Sequence, residues 1–130
     1  MNPESLENED YCYLTTTGRI TGRPHEIEIW FALEGSTLEG STLYMLSGGG
    51  DRSDWVKNIR RSPDTTVRIG NSTFEGRGRL VDEPEEDDLA RALLFEKYQP
   101  RTGGDLTRWR GYALPVAVDL VGPARDGYNR

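Results

Sequence analysis

The chain has 130 residues, 35% of them hydrophobic and 15 of them glycine, which gives one domain with a single core and many tight turns. Its one cysteine, Cys12, excludes an internal disulfide, and its one histidine, His25, argues against a zinc site, so no metal is expected. The net charge of −6 is localised: residues 1–10 carry four acids and no base, residues 82–88 carry six acids, and what remains has 12 acids against 16 bases.

In chain order, the β-branched and aromatic "YCYLTTT" (11–17) predicts a strand ending at Gly18. The polar "TTTGRITGRP" follows, with two Gly-Arg steps where one glycine would make a turn. Residues 25–33, "HEIEIWFAL", alternate: Ile27, Ile29, Phe31 and Leu33 face one way, Trp30 and Ala32 the other. Residues 34–43 are a tandem "EGSTL" duplication, whose first copy is expected to lengthen a hairpin ending in the strand "TLYMLS" (42–47). After "GGG", Asp51 or Ser53 can cap a helix that runs to about Arg61 and stops at Ser62-Pro63. Strands are predicted at 65–70 and 73–81, a second helix from Pro84 to about Gln99, and a last strand at 113–120.

The order β-β-β-α-β-β-α-β with short connections implies an antiparallel sheet. Six strands and two helices then predict a mainly β (α+β) small barrel rather than a doubly wound fold.

Neither a metal cluster nor a Ser-His-Asp set is apparent, so a cofactor is expected to carry any difficult chemistry. The moderately basic body suits an anionic small molecule, although on charge alone acids that merely keep a small domain soluble explain the pattern better, and the whole chain repels nucleic acid. At the Thr-Gly-Arg turn, glycine N–H groups, hydroxyls and guanidiniums can converge on an anion, or form only a polar turn. "LSGGGDRSDW" reads equally as a helix-terminal anion site beside Arg52 and as a Gly-rich connector with an N-cap. Trp55, Asn58 and Ile59 share a helix stripe, and a buried Asn58 needs partners from the backbone or from a bound heterocycle. Glu75, Arg77 and Arg79 alternate with glycines, as a solvated face or a ligand-binding one would.

Taken in order, "LTTTGRITGRPHEIEIWF", "LYMLSGGGDRSDWVKNIRRSP" and "VRIG" resemble the deazaflavin-dependent nitroreductase family of the split-barrel flavoproteins. The match covers about residues 11–81, with a weaker echo at "ALPVAVDL". The resemblance implies a six-stranded antiparallel split β-barrel, FMN-binding-like, over residues 11–121. Residues 1–10 are then a flexible acidic N-terminus and 122–130 a C-terminal tail. It also implies an oxidoreductase that binds coenzyme F-420, an 8-hydroxy-5-deazaflavin with a phosphodiester and oligoglutamate tail. The reduced coenzyme would pass a hydride to a nitro compound, quinone or activated alkene.

By this resemblance Arg19, Thr21, Gly22 and Arg23 would cradle the phosphate and acidic tail, with His25 near the phosphate, and Ser47, Gly48 and Gly49 would approach the ring or its side chain. Trp55 and Asn58 would support that wall and Arg52 would add charge, while Trp30 would face the acceptor pocket and Tyr98 or Tyr112 would help close it. Tyr98 and Tyr112 are candidates to assist protonation. Ile20 and Gly48 stand where relatives often carry lysine, which argues against a long acidic tail and for FMN as the alternative cofactor, or for a cofactor held mostly by Arg19, Arg23 and Arg52. A non-catalytic flavin or lipid carrier is the third alternative. No apolar run approaches a membrane span and "MNPESLENED" lacks signal-peptide features, so a cytoplasmic protein is expected, with a homodimer compatible with the split barrel.

Overall fold

The computed structural model describes residues 3–35 and 40–123. It contains α1 (Pro3–Glu7), β1 (Cys12–Thr17), β2 (Pro24–Ile29), β3 (Ala32–Glu34), β4 (Thr42–Ser47), α2 (Asp54–Arg61), β5 (Asp64–Ile69), β6 (Ser72–Leu80), α3 (Pro84–Tyr98), α4 (Thr107–Tyr112) and β7 (Leu114–Pro123). All strand pairs are antiparallel, in the order β2-β1-β5-β6-β7-β4-β3. The fold is the expected curled, split-barrel sheet, with seven strands instead of six.

The additional strand comes from a break at Trp30–Phe31. Residues 24–29 pair with β1, whereas 32–34 pair with β4, so two consecutive strands lie at opposite ends of the sheet. One bent stretch of chain thereby joins the two edges of the barrel. Side-chain alternation continues through the bend: Ile27, Ile29, Phe31 and Leu33 all face the interior core.

That interior core includes Leu14, Leu43, Met45, Val67, Val116 and Val118, and α2 closes one end with Val56 and Ile59. A second core lies outside the sheet, where Ala90, Leu94 and Tyr98 of α3 pack on Ala32, Tyr44, Leu46 and Ala117. β4 is buried on both faces because its alternate residues serve different cores. The glycines of β6 face inward, and a Cβ at Gly78 would lie 2.8 Å from Ile59 Cγ2. Only the absence of a side chain there lets α2 approach the sheet so closely.

Within the acidic N-terminal stretch, Leu6 of α1 is buried against the interior core. The helix α4 was not foreseen, since its six residues carry no clear apolar period. Most of the first "EGSTL" copy and all of the chain after Pro123 lie outside the described residues.

Candidate functional site

The Thr-Gly-Arg stretch forms a closed turn between β1 and β2. The Gly18 N–H donates to the Arg23 carbonyl at 2.7 Å, the Gly22 N–H to the Gly18 carbonyl at 2.9 Å, and the Arg23 N–H to Thr21 Oγ1 at 3.2 Å. The fourth N–H, of Arg19, donates to Asn58 Oδ1 at 3.1 Å. These four backbone donors are therefore engaged within the protein, as in the polar-turn reading of this stretch. What the turn offers an anion is its side chains and the N–H groups of Ile20 and Thr21, which make no hydrogen bond among the described residues.

Asn58, the buried amide singled out by its helix position, has protein partners at both its polar atoms. Its Oδ1 also accepts from Arg19 Nη1 at 3.0 Å, and its Nδ2 donates to Thr16 Oγ1 at 3.1 Å. Arg19 Nη2 meets Asp54 Oδ1 at 3.1 Å, so the guanidinium is bracketed by two residues of α2 one helical turn apart. Its Nε–H and second Nη2–H have no acceptor among the described residues. The bracket holds Arg19 in one orientation before any ligand arrives.

His25 lies opposite Thr16 in the β1–β2 ladder. Its ring leans over the turn, where a Cβ at Gly18 would lie 2.7 Å from Nε2. Gly18, Arg19, Ile20, Thr21, His25, Asp54 and Asn58 together line a cavity of about 210 Å3. Four of the expected residues are thus brought together: Arg19, Thr21, His25 and Asn58. Gly22 instead lines a larger cavity of about 550 Å3 on the outer face of the sheet, with Thr15, Thr17 and Thr66.

Ser47 is buried at the end of β4. Its Oγ donates to the Gly50 carbonyl or shares a hydrogen with Ser53 Oγ, each at 2.9 Å. These contacts fix the Gly48–Gly49 turn just before α2. Arg52 is exposed with no acidic partner among the described residues, and Trp55 is half-buried against the interior core.

Trp30 and Tyr98 lie elsewhere, on the second core. Their rings stack at 4.3 Å and 4°, and Trp109 of α4 meets Trp30 edge-on at 5.4 Å. Trp30, half-buried, is thus packed by side chains of α3 and α4. The Tyr98 hydroxyl accepts from the Phe31 N–H and faces the carbonyls of Asp10 and Phe31, and burial pushes its phenol above the ordinary value. It bridges the strand break and is not available to a substrate. Tyr112 is 62% exposed, two residues before Leu114, which pairs with Ser47. Sequence reasoning missed Thr16, Asp54 and Trp109; only Asp54, one turn before Asn58, left a usable signal.

A family profile for F420H2-dependent quinone reductases matches residues 3–120. The chain belongs to that family. It is accordingly an oxidoreductase, and its cofactor is coenzyme F-420, which decides between the deazaflavin and FMN. Similar solved structures share the fold. One described as an F420H2-dependent reductase is 20% identical over 85% of this chain and 94% of its own, with a TM-score of 0.61. A conserved protein of Mycobacterium tuberculosis is 20% identical over 92% of this chain and 77% of its own, at 0.68. A candidate 5-nitroimidazole resistance protein of Bacteroides thetaiotaomicron is 16% identical over 90% and 76%, also at 0.68.

The cavity beside α2 has the dimensions of one end of a cofactor, not of a whole one. Its volume suits a phosphate and is below the roughly 300 Å3 at which pockets enclose whole drug-sized ligands. Its donors toward an anion are the oriented Arg19, the imidazole of His25 and the Thr21 hydroxyl, with the Asp54 carboxylate, paired to Arg19, in the same lining. Among the described residues no group of three or more His, Cys, Asp or Glu could hold a metal, and no helix is long and apolar enough to cross a membrane.

Proposed function

We propose that this chain reduces quinone-type acceptors with F420H2, holding the cofactor's phosphate between the 18–23 turn and α2. The observation that carries this reading is the Arg19 guanidinium, bracketed by Asn58 and Asp54 at the edge of an anion-sized cavity. The quinone acceptor follows from the family's description, and nitro compounds and activated alkenes share its electron-poor character.

Bound and reduced, coenzyme F-420 supplies a hydride. The chain's own residues bind and orient. Arg19 presents its two unspent N–H groups, His25 and Thr21 add directed donors, and Arg23 adds charge from the exposed side of the turn. Ser47 and Ser53 hold the adjoining turn in a fixed shape for the ring side of the cofactor. Of the two candidate proton donors, Tyr98 is spent on the backbone, which leaves the exposed hydroxyl of Tyr112 to assist solvent. Pairing of two chains through the outer face of β1, β5, β6 and β7, where Val121 of β7 is half-exposed, is part of the same reading.

The test is a titration of purified protein with F-420, followed by tryptophan quenching, alongside F420H2 oxidation by a soluble naphthoquinone. Light scattering on the same sample reports pairing. Saturable binding that weakens about tenfold or more in Arg19→Ala, with quinone-dependent oxidation, is expected. Binding that ignores Arg19→Ala would overturn the phosphate site. Turnover of nitroaromatics without turnover of quinones would overturn the acceptor class.

A further inference from the structure

Charges of the two signs are segregated around one groove. The groove holds about 400 Å3 between the C-terminal half of α2 and the end of β6, with Ile59, Pro63, Gly78 and Leu80 as its apolar walls. Its α2 side is positive. At about 100° per residue, Val56, Asn58 and Ile59 turn to the sheet and are buried, which leaves Lys57, Arg60 and Arg61 exposed. None of these three cations has an acidic partner among the described residues, whereas Arg77, Arg79, Arg91, Lys97 and Arg101 all do. Arg60 itself lines the groove.

The β6 side is negative. The strand ends at Leu80, and Asp82, Glu83, Glu85 and Asp88 follow, all exposed and all without a basic partner among the described residues. Glu83 lies three residues beyond Leu80, so the two Cα atoms are within about 11 Å of each other. Arg79, also in the groove lining, pairs with Glu86 in the first turn of α3 at 2.7 Å. The acidic start of α3 therefore adjoins the groove.

Leu89 stands within this acidic stretch. It is 36% exposed and shares a helix face with Glu85 and Asp88. A lone exposed leucine is ordinary on a protein surface, but this one is set among charges opposite to those that border the groove. An apolar side chain flanked by carboxylates thus lies beside an apolar groove flanked by arginines. Within one chain no ion pair joins the two sets of charges.

A second copy of the chain supplies both complements at once. Turned by 180° about an axis beside the groove, it sets its acidic stretch against these arginines and its arginines against this acidic stretch. A two-fold contact of that kind closes after two chains. We infer that two copies of this chain pair here, with Leu89 of each in the groove of the other and Glu85 and Asp88 against Arg60 and Arg61. The contact uses none of the outer-face residues Thr15, Thr66 and Val121, and it does not depend on the cofactor. Each chain carries a net charge of −6, so the overall fields repel, and it is the local match of sign that selects this face and its register.

The experiment is sedimentation equilibrium over a wide concentration range, with far-UV circular dichroism as the folding check. It compares the wild type with Arg60→Glu/Arg61→Glu, with Glu85→Lys/Asp88→Lys, with an equimolar mixture of these two variants, and with Leu89→Ser. The wild type should double its mass as concentration rises, and each reversal variant should pair at least tenfold more weakly, since like charges then face each other. The mixture should recover the pairing, because every reversed residue of one variant meets an opposite charge on the other. Leu89→Ser should weaken it about tenfold through the lost apolar burial. Pairing through the outer sheet face would persist in every variant, so the two contacts are told apart. A wild type that stays monomeric would overturn the inference, as would folded reversal variants that pair as tightly as the wild type or a mixture that pairs no better than its components. A Leu89→Ser variant that pairs as tightly as the wild type would overturn the seating of Leu89 in the groove.

Discussion

Asn58 shows how a single amide can set the geometry of a binding turn. It is buried, and it satisfies the Arg19 N–H, the Arg19 guanidinium and the Thr16 hydroxyl at once. Asn58→Ala would leave a backbone donor without its partner and release the 18–23 turn from α2. Equilibrium unfolding should show a loss of about 2 kcal/mol, and F-420 affinity should fall with it. Asn58→Asp should recover much of both, since a carboxylate accepts from Arg19 while Thr16 can reverse its hydroxyl; an Asp variant as impaired as the Ala variant would mean that the Nδ2 donor, not the bracket, is what counts. The sequence made Asn58 conspicuous, as an amide on an apolar stripe. It did not reveal the partners, which lie 39 and 42 residues away and are brought close only by the β1–α2 packing. Tyr98 is the converse case. Its type suited a substrate pocket, yet the unpaired peptide groups of Phe31 claim its hydroxyl.

At the level of elements, most strands were legible because alternation and Gly or Pro punctuation agree on them. The bend at Trp30–Phe31 was not, because alternation runs through it unbroken and only barrel closure requires it. The structure deals with the ladder groups freed there through side chains. Lys97 Nζ donates to the Phe31 carbonyl at 2.9 Å, and Glu7 accepts the Leu33 N–H at 2.8 Å. Lys97 also lies 3.7 Å over the Phe31 ring and 3.5 Å from Glu7 Oε1. Burial dominates its titration and lowers it from the ordinary 10.5 to about 8, with Glu7 opposing that shift. Between about pH 8 and 10.5 the unfolded chain therefore binds the proton that the folded chain has released, and stability rises with pH across that window. Below about 8 both states are protonated and the folded state bears the cost of the buried charge. The stability of the wild type relative to Lys97→Met, from urea unfolding at pH 7, 9 and 10.5, should accordingly increase. A difference that stays flat or falls would show that Glu7 and the Phe31 ring fully offset the burial of the ammonium group.

For the molecule as a whole, one curled sheet serves two cores, and the second depends on keeping α3 against the outer face of β4 and β7. Apolar contacts supply most of that, but the edge of the layer is tied by ions. Arg79 of β6 reaches Glu86 of α3 at 2.7 Å through two nitrogens, and Asp119 of β7 at 2.8 Å. Tyr44 of β4 donates to Glu86 Oε2 at 2.6 Å, and Thr42 to Asp119 Oδ1 at 3.0 Å. Four elements thus meet at one knot, built on the Arg79 that sequence reasoning placed on either a solvated or a ligand-binding face. Arg79 and Tyr44 hold the Glu86 carboxyl down from its ordinary 4.5 to about 2, against the opposing effect of its partial burial. A depressed carboxylate contributes stability that is fully present above its unfolded value, here 4.5, and is lost as pH falls through the folded value. Glu86→Gln should therefore be less stable than the wild type at pH 7 by about 1 kcal/mol, discounted because Arg79 is partly exposed. That gap should close between pH 4.5 and about 2, as protonation removes from the wild type the charge that the variant lacks throughout. Urea is the denaturant to use, since guanidinium chloride would screen the knot while measuring it. A gap that persists unchanged down to pH 2.5 would mean that shape and hydrogen bonding, not charge, secure α3 to the sheet.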